Sequence, residues 1–213
     1  GHQILQGLVT VGKYDGQHPC LTAGTTAGKV LIHSPHSRGE ADQQNEAARS
    51  QVMFLNINRK ITSVHAGLLN PGLGRDVLMV GTQTSLMVYD VEENSDLFFK
   101  EVHDGVNVIA FGMLAGVDTP VCMVGGNCSI QAYDHEGTEL FWTVTGDNVS
   151  ALAFCDVNDD GQDELICGTE DFEMRIFKGE DVVKEITETD VIIKAEPLLR
   201  TRFAYALMNG TCG

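Results

Sequence analysis

The sequence has few positive charges and no long hydrophobic run. Only 14 lysines and arginines stand against 30 aspartates and glutamates, so the formal net charge is −16. A chain this acidic, without a cluster of basic residues, repels a phosphate backbone, which argues against nucleic acid as a partner. No apolar stretch approaches the roughly 18 residues that a membrane-spanning helix needs. We therefore expect no nucleic-acid partner and no direct membrane span.

Motifs of the common enzyme and metal-site classes are also missing. None of the six cysteines forms a C-x-x-C pair, the spacing typical of zinc sites and redox motifs. The chain has no G-x-S-x-G, so the nucleophile turn of α/β-hydrolases is absent. No set of His, Asp and Glu residues recurs along the chain in a way that suggests a convergent site. We predict a protein that is not an enzyme and requires no cofactor.

The cysteines and the glycosylation triplets point to different compartments. Four cysteines lie in apolar runs of strand length, where a reduced thiol acts as a small hydrophobic side chain: Cys20, Cys122, Cys155 and Cys167. This pattern favours a reducing, intracellular setting. Three N-x-[ST] triplets, at Asn127, Asn148 and Asn209, would be glycan acceptors in a secreted protein. Such triplets arise often by chance, so the intracellular setting is favoured.

A repeat runs through the chain, with the same order of features in four segments. Each segment has an apolar run, a polar turn, a second apolar run that reaches a glycine, another short turn and an alternating run. The glycines are Gly24, Gly81, Gly125 and Gly168, and the last two intervals are 44 and 43 residues. A period of this length with runs of strand length is typical of propeller blades.

The repeat predicts an all-β fold: a β-propeller of four-stranded antiparallel blades, of which about four and a half are present. Fourth strands are predicted at Asp96–Val102, Thr138–Thr145 and Asp181–Glu188. We expect residues 1–213 to form one incomplete propeller domain. Its blade-like units are predicted at about residues 8–57, 60–104, 105–146, 147–189 and 190–213.

The first unit is longer than the others because it contains an insertion. Gly24 and Gly81 are 57 residues apart, and the additional residues are "SPHSRGEADQQNEAARSQ", at positions 34–51. This segment has no apolar run that could form a strand. We predict a flexible surface loop there.

Several stretches resemble one family closely. "VGTQTSLMVYDVEENSDLFFKEVHDGVN", "GGNCSIQAYDHEGTELFWTVT" and "FAYALMNGTCG" are similar to the amino-terminal propeller of the Bardet-Biedl syndrome protein two family, subunits of the BBSome. The resemblance runs from about Val11 to Gly213 and weakens only in the insertion. It implies a propeller of seven blades, followed by a coiled coil and further domains. It also implies a non-catalytic role in ciliogenesis and in the transport of membrane proteins to and from cilia.

The same resemblance implies partners and a location. The partners are sister BBSome subunits, notably the seventh and ninth Bardet-Biedl proteins, together with chaperonin-like assembly factors. The location is the cytoplasm, the cilium, the ciliary basal body and the centriolar region. The resemblance does not say which surface of the propeller binds which partner.

An acidic loop in the fourth repeat is the candidate metal site. In "CDVNDDGQDELICGT" the oxygen-bearing residues Asp156, Asn158, Asp160, Gln162 and Glu164 stand at alternate positions. This is the order of the first ligands in a calcium loop, and Gly161 allows the tight bend that convergence requires. The position of the bidentate EF-hand glutamate is Cys167, and both flanks are strand-like, so a helix-loop-helix is excluded. The alternatives are a strand-loop-strand calcium loop and a polar turn that needs no ion.

Two further interpretations depend on side-chain environment. Trp142, the only tryptophan, alternates with Leu140 and Val144 in "ELFWTVT", and this alternation favours packing inside a blade over a partner contact. For the chain as a whole, an extracellular, calcium-binding, integrin-like adhesion propeller is the alternative to a BBSome scaffold.

Overall fold

The computed structural model describes residues 3–36, 51–199 and 201–213, and these residues form five antiparallel β-sheets. The first sheet contains β1 (Ile4–Gly12), β2 (Cys20–Thr25), β3 (Lys29–His33) and β4 (Val52–Asn56). The second contains β5 (Ile61–Gly67), β6 (Val77–Thr82), β7 (Ser85–Asp90) and β8 (Ser95–Glu101). A 3₁₀ turn at Pro71–Leu73 lies between β5 and β6.

The remaining sheets repeat this pattern. The third contains β9 (Val108–Met113), β10 (Pro120–Gly125), β11 (Ser129–Tyr133) and β12 (Glu139–Val144). The fourth contains β13 (Val149–Cys155), β14 (Glu164–Thr169), β15 (Glu173–Lys178) and β16 (Asp181–Thr187). The fifth pairs β17 (Ile192–Pro197) with β18 (Phe203–Leu207).

Strand order within each sheet follows the chain, so every sheet is a meander of antiparallel hairpins. The first strands of successive sheets contact one another in the series β1, β5, β9, β13 and β17. This arrangement places the first strands innermost, and the sheets are the blades of a β-propeller. The predicted all-β propeller of four-stranded blades is therefore confirmed, and the three predicted fourth strands correspond to β8, β12 and β16 within one residue at each end.

The hydrophobic core lies between the blades. One cluster joins blades one and two around Val30, Ile61 and Val80, and comparable clusters join each later pair of neighbours. In β3 burial alternates along "KVLIH", because Val30 and Ile32 pack against blade two while the other face of the strand is only half-buried. The buried cysteines belong to these clusters, and Cys122 and Cys167 have no solvent exposure.

The repeated glycine has a specific steric role. A β-carbon on Gly81 would lie 2.3 Å from Cγ1 of Val106, and one on Gly125 would lie 2.4 Å from Cγ1 of Val149. Val106 and Val149 begin the innermost segment of the next blade. A β-carbon on Gly168 would meet Ile192 in the same way, 2.7 Å from its Cβ, whereas one on Gly24 would have a looser contact, 3.3 Å from Cγ2 of Ile61. The glycine that recurs in the sequence therefore reflects a steric contact that recurs between neighbouring blades.

Two predictions concern parts of the chain that the structure does not decide. Residues 37–50, the greater part of the predicted loop at 34–51, lie outside the described residues. That residues 1–213 form a single incomplete propeller domain with the stated unit boundaries stays a prediction. Among the described residues, no helix has the length and apolar character needed to cross a bilayer.

Candidate functional site

The acidic loop connects β13 to β14 in blade four and is closed by its own side chains. The carboxylate of Asp156 accepts hydrogen bonds from the backbone N–H of Asp160, at 3.1 Å, and of Gly161, at 2.8 Å. The side-chain oxygen of Asn158 also accepts from Asp160 N–H, and Asp160 Oδ1 accepts from Gln162 N–H at 3.0 Å. These bonds are those of a tight polar turn.

Glu164, the first residue of β14, holds this loop in place through its buried carboxylate. Its side chain is 1% exposed, and its carboxylate accepts from the backbone N–H of Val157 at 2.9 Å and from the amide of Asn158 at 2.8 Å. A buried carboxylate requires such partners because desolvation otherwise disfavours the charge. The structure therefore brings together the side chains of four of the five predicted residues. For Gln162, whose carbonyl oxygen is the predicted ligand, the structure shows the backbone N–H bonded to Asp160.

A lysine that the sequence analysis did not include supplies positive charge to this loop. Lys178, the last residue of β15, forms an ion pair with Asp160, and its Nζ lies 3.7 Å from Glu164 Oε1. The hydrogen bond from Lys178, together with the Gln162 N–H, lowers the pKa of Asp160, and the same bond raises the pKa of Lys178. In the sequence this residue is visible only as a lysine at the end of the predicted third strand. It comes close to the loop only when the second and third strands form their hairpin.

Among the described residues, no three His, Cys, Asp or Glu side chains are arranged as a metal-binding group. Calcium at Asp156, Asn158, Asp160, Gln162 and Glu164 thus stays a prediction, and binding would require Lys178 to withdraw from Asp160.

We expect calcium to raise the melting temperature of the chain and Asp156→Ala with Asp160→Ala to abolish the increase. At a hundredfold excess over Kd, binding to the folded state alone adds about 2.7 kcal/mol.

Lys178→Met sharpens this calcium experiment. If the ammonium competes with calcium, the variant has a more negative loop and a larger calcium-dependent increase than the wild type. Asp96→Ala, on the outer strand β8 of blade two, removes an exposed carboxylate away from this loop; it is the control and leaves the increase unchanged. Equal melting curves in calcium and in chelator, for both the wild type and Lys178→Met, would reject the metal site.

Polar side chains cluster where the inner ends of the blades meet. The amide of Asn107 donates to Asn127 Oδ1 at 3.2 Å, and that of Asn148 donates to Glu170 Oε2 at 2.8 Å. These residues line a cavity of about 460 Å³ at the inner strands. Ser150 donates to the carbonyl of Ile192 at 2.6 Å and so links blade four to blade five. The two amide bonds each join residues of one blade, and of these three bonds only that of Ser150 joins two blades.

The prediction for Trp142 is wrong. Its side chain belongs to β12, the outermost strand of blade three, and is 56% exposed. Leu140 and Val144 share its face and are 40% and 63% exposed, whereas Phe141, on the opposite face, is buried in the core between blades three and four. The fourth strand lies farthest from the axis, where neighbouring blades diverge, so only one of its faces is covered.

Comparison with known proteins identifies the family. The family model described as "Ciliary BBSome complex subunit 2, N-terminal" matches residues 10–112, and the model of the middle region matches residues 151–213. The chain is 50% identical over its whole length to "BBSome complex member BBS2" of Mus musculus and 49% identical to that of Homo sapiens. The chain belongs to the BBS2 family. It spans 30% of the length of these two BBS2 relatives.

Solved structures support the propeller fold of this BBS2 family member. The chain superposes on "BBS1N in complex with ARL6DN" with a TM-score of 0.70 at 15% identity, covering 99% of this chain and 64% of that one. A chain of the "Mitotic Checkpoint Complex" gives a TM-score of 0.68 at 14% identity, covering 97% of this chain and 62% of that one. At such low identity these likenesses concern the fold alone.

Proposed function

We propose that this chain is a non-catalytic, protein-interaction propeller of a BBSome subunit. The carrying observation is the identity of 49–50% with mammalian BBSome members over the full length of the chain. The contacts in the structure agree with a scaffold, because the polar clusters close turns and join blades. The extracellular adhesion alternative gains no support from these relatives.

The specific cellular role that we propose follows from the same family. The protein acts in the transport of membrane proteins to and from the cilium and in ciliogenesis, within a seven-bladed propeller. Its partners are sister BBSome subunits, notably the seventh and ninth Bardet-Biedl proteins, and chaperonin-like factors assist its assembly. It works in the cytoplasm, at the ciliary basal body and centriolar region, and in the cilium.

Purification from ciliated cells tests this proposal. The gene product, tagged at its native locus, is expected to recover sister BBSome subunits in stoichiometric amounts, and its loss is expected to change the receptor content of cilia. A tagged propeller that shares the fold but not the family serves as the control. Recovery of no sister subunit, or glycans at Asn127, Asn148 or Asn209 on the native protein, would contradict an intracellular BBSome role.

A further inference from the structure

The outer edge of blade three differs from the edges of the blades on either side. The outer strand β8 carries Asp96, Lys100 and Glu101, and the outer strand β16 carries Asp181, Lys184 and Glu185. Charged side chains, lysine above all, protect an edge strand from pairing with another chain. In β12, the sequence "ELFWTV" has no charge after its first residue, Glu139. This edge lacks the protection that its neighbours have.

The exposed face of β12 has the composition of a binding surface. Leu140, Trp142 and Val144 stand at alternate positions, and each is at least 40% exposed. Tryptophan, like tyrosine and arginine, is enriched among the residues that dominate binding energy. The polar neighbour of the indole on β11 is Gln131, whose register partner is Trp142 and whose side chain is held by Glu139 and Tyr133. The side chain of Gln131 is therefore held in place next to Trp142, and the indole ring of Trp142 is exposed to solvent.

The charges around the edge of β12 indicate the charge of the partner that it would bind. Residues 101–174 contain no lysine or arginine but 15 of the 30 acidic residues. All of blade three lies in this segment. Glu136 and Glu139 are exposed at the start of β12, and Asp147 follows its end. The neighbouring blades bring Lys100 and Arg175 near the turns before and after β12, but acidic side chains outnumber them. A basic segment is therefore attracted to this surface, whereas a second copy of this chain would bring two acidic blades together and be repelled.

We propose that β12 is a docking strand for a partner protein. The partner supplies an extended segment that pairs with the free edge of β12. Apolar side chains at alternate positions of this segment contact the Leu140, Trp142 and Val144 face, and lysine or arginine at its ends meets Glu136, Glu139 and Asp147. Main-chain hydrogen bonds give affinity in this mode, and alternate side chains give specificity. This inference rests on the proposed scaffold function and assigns it a surface.

The test uses gene-edited ciliated cells in which the whole gene product carries Trp142→Lys. A charge at the centre of the face should reduce recovery of at least one sister subunit by about tenfold or more, as for a dominant interface residue. Because Trp142 is mostly exposed, the melting temperature of the purified variant should stay that of the wild type. The matched control is Val183→Lys on β16, where Val183 is 54% exposed, and it should leave recovery unchanged.

Photo-crosslinking identifies the occupant. A benzophenone amino acid at Val144, which is 63% exposed, should crosslink to a partner segment with alternating apolar residues and flanking lysine or arginine. Unchanged recovery with Trp142→Lys would overturn the docking strand while leaving BBSome assembly intact. Crosslinks to a second copy of this chain, or to an acidic segment, would also overturn it. If the wild-type protein recovers no sister subunit, the proposed function itself fails.

Discussion

Gly81→Ala is expected to destabilise the propeller by about 3 kcal/mol, the upper part of the range for overpacked cores. The added β-carbon would lie 2.3 Å from Cγ1 and 2.9 Å from Cβ of Val106, in a region without solvent. Blades two and three would have to separate, and the cluster between them would lose its close packing. Urea unfolding of the purified chain measures the change in the free energy of unfolding.

A double-variant cycle tests the steric origin of this effect. Val106→Ala removes the closest clashing carbon, so Gly81→Ala with Val106→Ala should be less unstable than the sum of the two single variants. Gly72→Ala is the control, since its β-carbon would meet only the side-chain oxygen of Asn70, at 3.1 Å. Additive effects at positions 81 and 106 would show that the glycine is not required by contact with the next blade.

The same contact explains why the fold could be predicted from the sequence. Blades two, three and four each require a glycine where the branched residue of the next blade approaches, so the steric constraint recurs in these three blades. Gly81, Gly125 and Gly168 keep the interval of 43 or 44 residues, and β6, β10 and β14 contain them in equivalent places. A repeated packing constraint leaves a repeated residue, and sequence periodicity detects it.

The exposed face of β12 could not be predicted in this way. Alternation in "ELFWTV" shows that Leu140 and Trp142 share one face, but it does not show which face is covered. Phe141 lies on the other face and is the side chain that enters the core. Coverage depends on the distance of a strand from the propeller axis, and that distance is a property of the assembled blades.

The ion pairs show a second limit of sequence reasoning. In blade four, Asp160 of the loop pairs with Lys178 at the end of the third strand. In blade two, Arg75 of the equivalent loop pairs with Asp90, also the last residue of a third strand. The two blades use the same position with the charges exchanged. A search of the sequence for repeated acidic residues therefore finds the loop of blade four but misses the ion pair that blades two and four share.

Asp90→Asn is expected to destabilise the chain by about 2–3 kcal/mol at pH 7, the upper part of the range for hydrogen bonds to charged groups. Asp90 has a side chain that is 3% exposed. Its Oδ2 accepts from Arg75 at 2.7 Å and its Oδ1 at 3.2 Å, while the backbone N–H groups of Glu92 and Glu93 also donate to Oδ1. Glu93→Gln is the control, because Glu93 is 68% exposed at 3.5 Å from Arg75, and exposed pairs contribute less than about 1 kcal/mol.

The pH dependence of this difference identifies its electrostatic origin. Burial alone would raise the pKa of Asp90, but the hydrogen bonds from Arg75 and from the backbone outweigh it, and the pKa is lowered. A carboxyl group with a lowered pKa stabilises the fold fully above its unfolded pKa, about 3.9, and loses this contribution as pH falls through the folded pKa. The difference between the wild type and Asp90→Asn should thus be constant from about pH 5 to 8 and shrink below about pH 4. A difference in urea unfolding that persists undiminished in acid would assign the effect of Asp90 to packing, because protonation would then leave its contribution intact.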